Sequence, residues 1–233
     1  MGSVASLIGG IFLLWKENWA RKITFYLVSF AAGALLGAAF LHLLPDAINE
    51  GGSTMFFYVL LGIVAMFLTE KFLLWYHCHV GECEVHVFSY TVLFGDAVHN
   101  FIDGIVMGAS FLVSIPLGII TSLAVAFHEI PQEIGDFAVM LHGGMKRKKV
   151  LFYNLLTALL AIFAAVLTYV FSSGLQRAII PLIAFAAGNF IYIALSDLIP
   201  EIHKETKRSK IIVQIFLLFI GILVIWGVEK ILG

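Results

Sequence analysis

His99-Asn100-Phe101-Ile102-Asp103-Gly104 and His128-Glu129-Ile130-Pro131-Gln132-Glu133 each sit in the middle of an apolar stretch, and the two stretches are neighbours in the chain. Ionisable side chains at membrane depth are costly and are kept where they face a pathway or a partner. Six candidate metal ligands, His99, Asn100, Asp103, His128, Glu129 and Gln132, fall in the two blocks at matched i, i+1, i+4 spacing. The pattern predicts a divalent metal site held between membrane-spanning helices.

Composition agrees with that setting. The chain has 233 residues, of which 61% are hydrophobic and 12% charged, whereas soluble domains carry about a quarter charged residues. Apolar runs of about 20 residues read as spanning helices. They are expected near 24–44, 54–76, 88–112, 117–141, 149–171, 178–199 and 211–231, within one transmembrane domain over 1–233. An eighth run, 3–15, is too short to cross a hydrocarbon core of about 30 Å. A truncated or unusually short first span accounts for it better than a cleaved signal peptide, because no basic segment precedes it.

Eleven of the fourteen Lys and Arg residues fall in three loops: Lys16, Arg21 and Lys22; Lys146, Arg147, Lys148 and Lys149; and Lys204, Lys207, Arg208 and Lys210. The positive-inside rule places these loops in the cytoplasm and both termini outside. A net charge of −1 argues against a nucleic-acid partner. No organic cofactor is expected.

The chain also repeats itself. Phe30-Ala31-Ala32-Gly33 recurs as Phe185-Ala186-Ala187-Gly188, an offset of 155 that also pairs Pro45 with Pro200, Asp46 with Glu201 and His42 with Asp197. Spans two and seven run in opposite directions, and a repeat between oppositely directed spans marks an inverted-topology transporter. The expected architecture is an all-α polytopic membrane protein of eight helices, arranged 3+2+3, with spans four and five as a central hairpin turning at Ser114-Ile115-Pro116.

His99 and His128 are equidistant from that turn, so an antiparallel hairpin puts both at one depth, near the midplane where transporters hold substrates. His99 and Asp103 share a helical face, as do His128 and Gln132; Asn100 and Glu129 are turned from them by about 100°. Asp103 lies one turn outward and Gln132 one turn inward, which predicts two adjacent subsites sharing ligands rather than one compact cage. Imidazole and carboxylate both bind zinc, and the mixture also admits iron, copper, nickel or manganese. Pro131 removes a backbone donor and crowds the Phe127 carbonyl, which would open a backbone oxygen beside His128. Two blander readings compete. A buried polar network could only tie the helices together, and an intramembrane metallohydrolase of H-E-x-x-H type would need a second histidine where Gln132 stands.

H-N-F-I-D-G followed by H-E-I-P-Q-E-I-G-D-F resembles the paired signature of the ZIP (Zrt-, Irt-like protein) family of divalent metal transporters, in the subgroup with an HEIPxEIGDF-type fifth-span motif. The resemblance implies eight spans and zinc as the transported substrate, with Cd2+, Fe2+ or Mn2+ as alternatives, moving towards the cytoplasm. It implies a first metal site at His99, Asp103, His128 and Gln132, and a second at Asn100 and Glu129, with Asp103 and Gln132 placed to bridge. Gln132 stands where members of this kind carry histidine or glutamate, and a neutral amide is a weaker ligand than either. Some relatives supply a glutamate from span six; Asn154 is its counterpart here.

Other residues are weighed around this centre. His77, Cys78, His79, Cys83 and His86, with Glu82 and Glu84, form a ligand-rich cytoplasmic loop suited to capturing released ions. His42 and Asp46 suit an outer entrance, Asp197 and Glu201 an inner exit. Asp96, Glu133 and Asp136 stand behind the ligands or along the inward path. The expected partners are divalent ions, the lipid bilayer and, as an open arrangement, a second copy in a homodimer. The expected location is the plasma membrane. A selective metal channel on the same scaffold is the runner-up, with a membrane metal sensor behind it.

Overall fold

The computed structural model describes residues 17–78, 85–142 and 145–232, and within them the side chains of 26–72, 93–130, 133, 136, 137, 140, 141, 145–228, 230 and 231. The expected span at 3–15 lies outside the described residues, as do His79 and Cys83; the side chains of His77, Cys78, His86 and Gln132 do too.

Every regular element among the described residues is helical. The α-helices are α1 Glu17–Ala38, α2 Leu44–Gly51, α3 Met55–Cys78, α4 Val85–Val113, α5 Ile115–His142, α6 Arg147–Val170, α7 Ser172–Tyr192, α8 Ile199–His203 and α9 Arg208–Leu232. Five described stretches are long and apolar enough to cross a membrane: 26–51, 55–72, 147–170, 172–203 and 208–228. Helices α4 and α5 carry the polar blocks, and at 29 and 28 residues each extends about 40 Å.

Two π-helical segments interrupt this regularity, Ala39–Leu43 between α1 and α2 and Ile193–Leu198 between α7 and α8. Each precedes a proline, Pro45 or Pro200, in the first turn of the short helix that follows. Proline lacks an N–H and its ring collides with the carbonyl four residues back. Widening the preceding turn by one residue relieves the collision. The N–H of Leu44 bonds the carbonyl of Ala39, and the N–H of Ile199 bonds that of Ala194. These two bonds are 155 residues apart, the same offset as the sequence repeat.

Without a hydrophobic drive between helices in lipid, small residues that let backbones touch hold the bundle together. Here they act reciprocally. A Cβ at Gly33 would run into the Leu218 carbonyl on α9, and one at Gly221 into the Phe30 carbonyl on α1. The same exchange joins α3 to α7, with Gly62 against Phe185 and Gly188 against Val59. Gly33 and Gly188 are repeat mates, so each half contributes one helix to each pair. A third pair, α4 with α6, closes through Gly104 against the Ala161 carbonyl.

The hairpin of α4 and α5 then docks against α1 and α7. Its turn is fixed by Ser114, whose Oγ accepts the Leu117 N–H at 3.2 Å, and by Thr121, which donates to Ser110 Oγ at 3.0 Å across the hairpin. Pro116 falls in the first turn of α5, where a missing N–H costs nothing. Phe127 of α5 meets Phe30 of α1 edge to face, centroids 4.7 Å apart. His128 meets Phe190 of α7 at 5.8 Å. The aromatic contacts fix the depth and rotation of α5, and with it the polar block. Large side chains on α3, α6 and α9 face outward, among them Phe57, Phe72, Phe163 and Phe216.

Overpacking a closed helix contact costs about 1–3 kcal/mol. Gly188→Val is therefore expected to lower the thermal midpoint of the purified protein by several degrees. Gly174→Val, at a position with open space around it, should leave it unchanged; equal shifts in both would refute the backbone-contact account.

Candidate metal centre

Four buried side chains from the hairpin converge on one point. His99 and Asp103 come from consecutive turns of α4, His128 and Glu129 from adjacent positions of α5, and none is more than 7% exposed. The two histidine Nε2 atoms stand 3.1 Å apart. Asp103 Oδ2 lies 3.6 Å from His99 Nε2 and 3.2 Å from His128 Nε2. Glu129 Oε1 lies 3.5 Å from the first and 3.7 Å from the second. Four tetrahedral donors on a zinc ion with bonds of about 2.0–2.1 Å stand about 3.3–3.4 Å from one another. Five of the six separations, 3.1–3.7 Å, bracket that spacing, and all four donors lie within 4.8 Å of one another. The group thus lies close to the spacing that a small tetrahedral cation needs.

Helix geometry also prepares the nitrogen that binds. His128 Nδ1 donates to the Ala124 carbonyl at 3.1 Å, one turn back on α5. A ring proton fixed on Nδ1 leaves the Nε2 lone pair facing the cluster, the arrangement that positions a metal-binding imidazole. Helix α5 continues unbroken from Ile115 to His142, so this carbonyl is shared with the helix ladder.

The offsets of Asp103 and Gln132 predicted two adjacent subsites sharing ligands rather than one compact cage. Side chains reach across that turn, and the first group is compact, with Glu129 completing it. Glu129 also belongs to a second group: one oxygen each from Asp96, Glu129 and Glu133 lie within 4.8 Å of one another. Asp96 is one turn before His99 on α4 and Glu133 one turn after Glu129 on α5.

Asn100 and Asn154 take different parts from donors to the first group. Asn100 Nδ2 donates to Asp96 Oδ1 at 2.8 Å and to the Asp96 carbonyl at 3.2 Å. Asn154 on α6 donates through Nδ2 to Glu133 Oε2. His42 is buried within the first π-helical segment and Asp46 half-buried beyond it. Asp197 lies exposed in the second π-helical segment, and Glu201 pairs with Lys204 at 2.5 Å on the surface. Asp136 is half-buried further along α5. None of His42, Asp46, Asp197 and Glu201 is among the four donors of the compact group. Sequence reading overlooked Glu70, which accepts a hydrogen bond from Tyr192 and so ties α3 to α7 near Asp197. A lone acid near a helix end carries no signal that separates it from a solvated one.

Comparison with known proteins gives consistent matches. The ZIP Zinc transporter family model matches residues 1–86 and 77–229. Zinc transporter ZIP13 of Pongo abelii is 34% identical over 214 residues, covering 85% of this chain and 64% of that protein. Zinc transporter ZIP13 of Danio rerio is 29% identical over 294 residues, 95% of this chain and 83% of that protein. Zinc transporter ZIP10 of Danio rerio reaches 42% over 123 residues, 52% of this chain and 14% of that protein.

Imidazoles must be neutral to bind a metal, so protons compete with the ion. Protons and the ion compete for the same imidazole nitrogens, so zinc affinity of the purified chain should fall by about tenfold or more from pH 7.5 to pH 5. Calorimetric titration would show it, and a flat profile would refute ligation by His99 and His128.

Proposed function

The chain belongs to the ZIP zinc transporter family, and from that membership we propose that it carries zinc across the membrane towards the cytoplasm through the His99–Asp103–His128–Glu129 group. The observation that carries this reading is the set of donor separations, five of which lie at 3.1–3.7 Å and so near the spacing of donors on a tetrahedral cation. Burial supplies the rest of the chemistry. Two carboxylates and two neutral imidazoles replace the hydration shell of a divalent ion, and the carboxylates balance its charge. Buried without a cation, the same carboxylates would be costly.

The membrane arrangement proposed is eight spans in a 3+2+3 plan, with both termini outside and the plasma membrane as the host. The pairing of α1 with α9 and of α3 with α7, each closed by reciprocal glycines, supports two related halves. Between them the hairpin, zipped to α6, forms a separate body. Movement of that body against the two pairs would open the four-donor group first to the His42 and Asp46 side, then to the Asp197 and Glu201 side. Gln132 belongs to the same reading as a neutral ligand beside the group, and the His77–His86 loop as a capture point for released ions. Other divalent cargo, cadmium, iron or manganese, is compatible with the donor mixture. A homodimer is compatible with the outward apolar faces.

Purified protein in liposomes should show saturable zinc and cadmium uptake that steepens with temperature. His99→Ala and Asp103→Ala should each reduce it by about tenfold or more. Uptake undiminished in both variants would remove the transport role from this group, and flux that does not saturate would favour a channel.

A further inference from the structure

We propose that Asn189 of α7 is a relay ligand for the cation, a neutral oxygen that takes a divalent ion as it enters or leaves the His99–Asp103–His128–Glu129 group. The proposal rests on the transport reading. It gives the α3–α7 pair a part in the chemistry, since all four donors of the compact group come from the hairpin.

Three features converge. The first is unspent bonding capacity. Asn189 is 2% exposed, and neither its Oδ1 nor its Nδ2 has a hydrogen-bond partner. Among the described residues of α3 and α7 it is the one such case. A buried polar group without a partner destabilises the fold, and such groups nearly always find one. An amide left idle at both ends is available to a visitor.

The second is a control supplied by the repeat. A Cβ at Gly221 would meet the Phe30 carbonyl and the Ala34 backbone nitrogen; one at Gly62 would meet the Phe185 carbonyl and the Asn189 backbone nitrogen. Phe30 and Ala34 are the mates of Phe185 and Asn189 at the offset of 155. Ala34 and Asn189 therefore hold equivalent places in the α1–α9 and α3–α7 pairs. Ala34 is fully buried, so this architecture closes with a methyl group there and an amide is not needed to build it. A residue that breaks a local rule with no packing gain marks function.

The third is placement. Successive helical residues are turned by about 100°. Gly188 faces α3, where its Cβ would meet the Val59 carbonyl, and Phe190 faces the hairpin, its ring 5.8 Å from that of His128. Asn189 is directed into the arc between those two contacts, along the seam where α7 packs against α4. An ion held only by hairpin residues must pass to groups on facing helices, and Asn189 stands one residue from the ring that touches His128. The chemistry suits a relay. An amide oxygen is a weaker ligand than a carboxylate, and a pathway site must release what it binds. Its Nδ2 is free to donate to a carboxylate that the ion has left.

The test compares exchange with affinity in the full chain, in liposomes and lipid nanodiscs, with zinc as the probe. Interactions made in passage and absent at the endpoints change rates and leave equilibrium affinity alone. Asn189→Ala, which copies the repeat mate, should slow zinc uptake into liposomes and zinc transfer from nanodisc protein to a chelator, each by about tenfold. Its equilibrium zinc affinity should match the parent's. Its thermal midpoint should equal or exceed the parent's, because an unpaired buried group has been removed. Asn189→Asp, which keeps an oxygen, should restore exchange, and Asn189→Leu, which keeps a similar shape without one, should not. Unchanged exchange in Asn189→Ala would overturn the relay. A lowered midpoint in Asn189→Ala that Asn189→Leu repairs together with exchange would also overturn it, by showing a packing role. Slowed transfer to the chelator in Asn189→Ala, beside a parent protein that carries no zinc into liposomes, would support the relay and overturn the transport reading.

Discussion

Four carboxylates and two imidazoles share a solvent-excluded space between α4 and α5. Removing even one charge from water into a protein interior costs several kcal/mol, and like charges close together add to the cost. The rest of the bundle is arranged around that fact. Positioning contacts on Asp96, Glu133 and His128 come from Asn100, Asn154 and the Ala124 carbonyl, and each leaves at least one ligand atom facing inward. A site that satisfied all its own hydrogen bonds would have nothing to offer an ion.

Holding such a group in place requires a rigid frame, and the frame is made by absence of side chains. Backbone contact at Gly33, Gly62, Gly188 and Gly221 locks α1 to α9 and α3 to α7. Bulky side chains are displaced to the outer faces, where lipid accepts them. The hairpin meets this frame through aromatic edges at Phe30–Phe127 and His128–Phe190. Those rings make fewer close backbone contacts than the glycine pairs, so the interface between hairpin and frame is the softer one.

Much of this was legible in the sequence. The helical class followed from apolar runs, and the depth of His99 and His128 from their equal distance to Ser114-Ile115-Pro116. The repeat was visible in Phe30-Ala31-Ala32-Gly33 and Phe185-Ala186-Ala187-Gly188. What escaped was reach. Positions along a helix fix where Cα atoms lie, and by that measure Asp103 is a turn away from His99. Side-chain length and the close approach of α4 to α5 cancel that distance, and they also let Glu129 serve two groups. Asp96 and Glu133 were read as lining a path, because nothing in spacing alone shows that their oxygens converge. The π-helical turns were missed despite Pro45 and Pro200 being plainly visible, since proline predicts trouble with the ladder without saying how a helix resolves it.

The paired π-helical turns carry a further consequence. A π turn amounts to one residue more than an α-helix needs over the same rise. Here both halves accommodate that residue at the same place, before the same proline, with bonds from Leu44 to Ala39 and from Ile199 to Ala194. Two separate insertions hitting equivalent positions is the costlier history. The simpler one is a single surplus residue carried in both copies of a repeated unit, so that the irregularity belongs to the unit itself, whereas His42 and Asp197 mark where the two copies differ.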